Sequence, residues 1–175
     1  MNLRLFVCAY GDHLGLYEAA AVRSLSQPLN RAALASGTIL SLYSDAAGID
    51  RAAAASEVLG CTIERHVMDF SGDAYDNQMK AFLEEVKACV QTDATMIMVS
   101  PDNFWGDGSL PNLLDAAGER NACIAVPHVR VDEAKFLKWI VSHPLGATAE
   151  GEWVFPPIDN PALVDLALRT LHPSW

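Results

Sequence analysis

Acidic and amide side chains recur where apolar runs of this chain end. Tyr10-Gly11-Asp12 follows the run over residues 3–9, and Ser44-Asp45 follows residues 38–43. Ser100-Pro101-Asp102-Asn103-Phe104-Trp105-Gly106-Asp107-Gly108 follows residues 96–99. A carboxylate just beyond a buried strand can hold a divalent cation or a polar substrate, because ligands of open α/β sheets gather beyond the carboxyl ends of the strands. The same residues also have an architectural use. Pro101, Gly106 and Gly108 shape turns, Asp107-Gly108 is a good turn pair, Asp45 can cap a helix beginning near Ala46, and Ser109 can cap the helix that follows it.

For these turns to meet, the runs before them must lie side by side. Residues 3–9, 38–43, 61–67, 96–99 and 123–126 read as strands. Helical patterns occupy residues 14–35, interrupted at Pro28 and closed by Ser36-Gly37, then residues 50–59 and 110–117. Asp73 or Asp76 starts a further helix that runs to about Cys89, with Met79, Phe82, Leu83 and Val86 spaced to form one face. Beyond Val131 the alternation weakens: residues 132–141 look helical, 150–157 an exposed loop or edge strand, and 161–171 a final helix. Alternation of this kind predicts an α/β fold, a three-layer α/β/α sandwich around a mostly parallel sheet. One domain over residues 1–175 is expected, with a core of residues 1–131 and a C-terminal helical extension of residues 132–175.

Composition narrows the function classes. Of 175 residues 51% are hydrophobic, enough for a packed core. The net charge of −10 works against nonspecific nucleic-acid binding, which needs clustered Lys and Arg. Cys8, Cys61, Cys89 and Cys123 show no C-x-x-C spacing and read as small buried hydrophobes in a reducing compartment. No apolar stretch reaches the ~20 residues that cross a bilayer, so a cytoplasmic protein without a membrane span is expected. The P-loop, the G-x-G-x-x-G fingerprint and the G-x-S-x-G elbow do not occur, which removes the main support for those chemistries.

The remaining pattern resembles the nucleotide-binding half of GT-A-type glycosyltransferases. The residues that carry this are the Ala9-Tyr10-Gly11 turn, the Leu42-Tyr43-Ser44-Asp45 strand end and Ser100-Pro101-Asp102-Asn103 with the downstream Asp107-Gly108-Ser109-Leu110. Ala125-Val126-Pro127-His128-Val129-Arg130-Val131 and Leu168-Arg169-Thr170-Leu171-His172-Pro173 extend the likeness. It implies a Rossmann-like GT-A fold and a nucleotide-sugar donor bound through Ala9, Tyr10, Gly11, Ser44, Asp45, Asp102 and Asn103, with Tyr10 and Asp45 on the base and ribose. It also implies a Mn²⁺ or Mg²⁺ ion held by Asp102 with Asp107 or His172. Phe104 stands where such enzymes carry the second acid of an Asp-x-Asp element, and a cation near a helix end gives His172 an alternative, structural role.

The resemblance leaves the acceptor unknown and assigns no catalytic base. Relatives of this type are longer, so a partner, a second subunit of a homo-oligomer, or binding without turnover is expected to account for the difference. A noncatalytic nucleotide- or protein-binding module is the competing expectation. A hydrolase or phosphatase using Asp12 or Asp45 is weaker, for want of a partner acid, an elbow or a phosphate loop.

Overall fold

Strands β1 (Asn2–Cys8) and β2 (Ile39–Ser44) are buried along almost their whole length, as the continuous apolar runs of a parallel sheet covered on both faces should be. In the computed structural model, which describes residues 2–34, 37–118, 131–142, 146–147, 153–154 and 158–171, they are flanked by β3 (Thr62–Val67) and β4 (Ala94–Val99). All pairings are parallel and the order is β3-β2-β1-β4. Val7 stands level with both Leu42 and Val99, so the turns after β1, β2 and β4 leave the sheet from one edge. The three-layer α/β architecture expected from the alternation is present.

The chain forms two compact units, Met1–Arg23 with Leu34–Phe104, and Ser24–Ala33 with Trp105–Trp175. In the first unit, α1 (His13–Leu16) continues into a π-helical stretch (Tyr17–Val22), which runs on into the short α2 (Arg23–Leu25) and packs with α4 (Ile49–Ser56) against one face of the sheet. The buried Tyr17 hydroxyl joins the two at 2.7 Å from Ser56 Oγ. On the other face lies α5 (Ala74–Thr92), over β1 and β4. Asp73 caps it, accepting from Tyr75 N and Asp76 N, so the first of the two expected starts is the one used.

The face that α5 buries is Asn77, Ala81, Glu85 and Cys89, whereas Met79 and Leu83 are 40% and 49% exposed. This corrects the apolar face read from sequence, of which Phe82 does pack against the core cluster of Phe6, Cys8, Tyr43 and Ala81. The reason is Arg4, a buried cation on the central strand. Its Nε donates to Glu85 Oε1 at 2.5 Å, and its Nη2 donates to Ser41 Oγ at 2.8 Å and Glu64 Oε2 at 2.5 Å. Ser41 and Tyr43 also donate to Glu85, at 2.8 and 3.3 Å. Burial alone would lower the Arg4 pKa, but the two glutamates more than reverse this and raise it. A helix that must turn a glutamate inward cannot turn its longest apolar row inward too. The small Ala81 and Cys89 then let it approach the sheet.

In the second unit, α3 (Pro28–Ala33), α6 (Ser109–Gly118), α7 (Glu133–Ser142) and α8 (Asn160–Arg169) accompany a two-stranded antiparallel pair, β5 (Gly146–Ala147) with β6 (Trp153–Val154). Asp132 and Asp159 cap α7 and α8, accepting from Lys135 N and Ala162 N. The fifth strand expected at residues 123–126 lies outside the described residues. Among the described residues no helix is long and apolar enough to cross a membrane.

Two outcomes follow for stability. Glu85→Ala leaves Arg4 buried with one carboxylate and should cost about 3 kcal/mol in urea unfolding, whereas the double variant Arg4→Met/Glu85→Leu should recover most of it. Burial pushes the Cys8 thiol up from 9.0 to about 12 and raises the phenols of Tyr17 and Tyr43. A folded pKa above the unfolded one gives stability that is full below pH 9 and is lost as pH rises toward 12. Urea midpoints should therefore be flat from pH 7 to 8.5 and fall above it, less steeply in Cys8→Ala.

Candidate functional site

At the carboxyl edge of the sheet, the turns after β1, β2 and β3 enclose a cleft of about 670 Å³. Tyr10, Gly11, Asp45, Ala46, Val67, Met68, Asp69, Phe70 and Ser71 line it, all within the first unit. Its floor is aromatic: the Tyr10 and Phe70 rings stack at 3.9 Å with 6° between their planes. Gln78, one turn into α5, donates to the Tyr10 hydroxyl at 3.0 Å and fixes that ring from behind. His13 packs edge-on to Tyr10 at 5.6 Å.

Asp45 is placed by backbone donors. Its Oδ1 accepts from Gly48 N at 2.7 Å and its Oδ2 from Gly11 N at 3.4 Å, linking the turns after β2 and β1. Glycine suits both positions. Gly11 has φ +53°, and a Cβ at Gly48 would stand 2.6 Å from Leu14 and 2.8 Å from Ser44 Oγ. The helix expected near Ala46 begins instead at Ile49, and Asp45 closes the turn that leads into it. Asp69 also folds onto its own turn, accepting from Ser71 N at 2.8 Å, and the Ser71 hydrogen bonds hold its carboxyl below the ordinary value.

Of the residues picked from sequence, Tyr10, Gly11 and Asp45 meet in this cleft. Ala9 and Ser44 support it from beneath: Ala9 N donates to Tyr43 O, Ser44 O accepts from Met68 N, and both side chains are buried. Among the described residues the Ser44 hydroxyl has no hydrogen-bond partner. Asp102 and Asn103 lie in the turn after β4, where Asp102 Oδ1 accepts from Ser100 Oγ at 2.5 Å and Asn103 N donates to Ser100 O at 3.0 Å. Neither is among the residues that line the cleft.

Asp107 belongs to the second unit and caps α3, its Oδ1 accepting from Leu29 N at 2.9 Å and Asn30 N at 3.2 Å. Ser109 is the first residue of α6 and donates to Asn160 Oδ1. Around them is a buried polar clasp. Asn30 donates to Ser24 O and Gly106 O and accepts from Gly108 N and Leu110 N, while Gln27 donates to Ser24 O and Trp105 O and accepts from Ile158 N. His172 lies outside the described residues, and among those described no group of three His, Cys, Asp or Glu could hold a metal ion.

The residues that sequence reasoning missed are those at the end of β3 and in the turn after it, Val67 to Ser71, together with Gln78. Met68-Asp69-Phe70-Ser71-Gly72 carries the same signal as the turns that were picked, an acid and an aromatic beside a glycine at a strand end. Comparison with protein-family models gives no match, and comparison with curated proteins gives none either.

The clasp makes a clear expectation. Asn30→Ala removes all four hydrogen bonds of its side chain and leaves buried backbone groups unpaired, which should cost about 3 kcal/mol in chemical unfolding. Asn160→Ala, at the exposed end of the same region, should cost less than about 1 kcal/mol.

Proposed function

We propose that the cleft binds the nucleoside end of a nucleotide-sugar donor and that the chain acts as a glycosyltransferase of GT-A type toward an acceptor still to be found. The observation that carries this reading is the cleft itself: an aromatic pair and a backbone-held carboxylate at the carboxyl edge of a parallel sheet, in a volume within the ~300–1,000 Å³ of small-molecule sites. Asp45, its carboxylate fixed by Gly48 and Gly11, has lone pairs left to accept from ribose hydroxyls. The Tyr10 and Phe70 platform offers its apolar surface to a base.

A Mn²⁺ or Mg²⁺ ion, where bound, would act as a Lewis acid on the departing diphosphate, and Asp102 is the carboxylate proposed for it. The described residues supply no complete ligand set beside Asp102, so the base and ribose contacts carry the proposed binding. The capping role of Asp107 favours a second reading, a noncatalytic nucleotide-binding module, because an expected ligand is already engaged in structure.

Calorimetry with a panel of nucleotide sugars, with and without Mn²⁺, tests both. Binding should appear and weaken roughly tenfold in Asp45→Asn and in Tyr10→Ala, since a hydrogen bond to a charged group and a ring contact each contribute about 1–3 kcal/mol. No binding across the panel would overturn both readings. Slow release of nucleoside diphosphate from a bound donor, abolished in Asp102→Ala, marks the transferase; binding with no release marks the module.

A further inference from the structure

We infer that the cleft selects its ligand by charge, admitting an uncharged nucleoside and keeping phosphate groups outside, with Asp69 as the residue that enforces the selection. The inference rests on the nucleotide reading of the cleft and adds which part of the ligand the cleft accepts.

Phosphate sites are built from unspent backbone N–H groups or from Lys and Arg. The lining has no Lys or Arg, and three amides of the turns around it are engaged. The nine lining residues include two carboxylates, Asp45 and Asp69, and no Lys, Arg or His. Three backbone donors at the rim are already given to those acids: Gly11 N and Gly48 N to Asp45, and Ser71 N to Asp69. A phosphate entering the cleft would meet two negative charges and find these three amides taken. The chain's net charge of −10 adds to the repulsion.

A nucleoside suits the same surface. Its ring can lie against the Tyr10–Phe70 pair, and its hydroxyl and amino groups are donors that need acceptors. Carboxylates held by backbone amides are acceptors that need no rearrangement. Asp69, exposed at the lip and kept ionised by Ser71, is placed to act on charge and not on shape.

Calorimetry on the full chain in EDTA, with uridine, cytidine, adenosine and guanosine and their 5′-diphosphates, tests this at about 20 mM and about 300 mM NaCl. For whichever base binds, the nucleoside should bind at least as tightly as its diphosphate. Raising the salt should tighten the diphosphate about threefold and leave the nucleoside unchanged, because screening relieves a repulsion that only the diphosphate feels. Asp69→Asn keeps the acceptor for Ser71 N. It should improve diphosphate binding about three- to tenfold relative to nucleoside binding, the ratio being the readout because Asp69 also offers an acceptor to the nucleoside. A diphosphate that binds more tightly than its nucleoside and is weakened by salt overturns the inference while leaving the nucleotide reading intact. Failure of every nucleoside and diphosphate to bind overturns the nucleotide reading and the inference with it.

Discussion

A buried guanidinium on the central strand sets the arrangement of the first unit. Arg4 sits on β1 where its neighbours Leu3, Leu5, Phe6 and Val7 are all buried, and a charge in that position must be matched from the helix layer above. Glu85 supplies the match and thereby fixes the rotation of α5 over the sheet. Two turns earlier on the same helix, Gln78 reaches the Tyr10 hydroxyl, just past the other end of β1. The ion pair and this hydrogen bond are two pins between one helix and one strand. The first is buried and strong; the second takes its place from the first and holds the aromatic floor of the cleft.

The alternation of apolar runs was enough to identify the sheet, its helices and the edge at which turns gather, because period and length are local properties of the chain. What periodicity did not reveal was the inward face of α5. Met79, Phe82, Leu83 and Val86 form a valid helical stripe, yet the partner of that helix is a cation, and nothing within residues 74–92 says so. Pairing Arg4 with Glu85 spans 81 positions. Long-range electrostatic matching of this kind overrides a local hydrophobic pattern and has no signature in a sequence window.

The site was legible to a similar depth. Tyr10, Gly11 and Asp45 meet because they share the sheet edge, which follows from element order. The segment from Ser100 to Gly108 carries acids, an amide and aromatics, but from Trp105 on it belongs to a different unit and serves a clasp built on Asn30 and Gln27. Asp107 shows why the two uses are hard to separate in sequence. An aspartate after a strand is an equally good ligand and an equally good helix cap, and the donors that decide between them, Leu29 N and Asn30 N, come from a segment more than seventy residues away.

Capping recurs so often in this chain that it bears on its acidity. Asp45, Asp69, Asp73, Asp107, Asp132 and Asp159 each accept from a backbone N–H of a turn or a helix start. Six of the chain's 22 acidic residues thus satisfy backbone donors that would otherwise face solvent or a ligand. A turn closed by its own aspartate is rigid and already anionic, so it cannot also serve as a cradle for phosphate. It can present oxygen acceptors in fixed positions. Two such turns, at Asp45 and Asp69, line the cleft beside one stacked aromatic pair, so the hydrogen bonds that fold the loops also set which acceptors face the cleft.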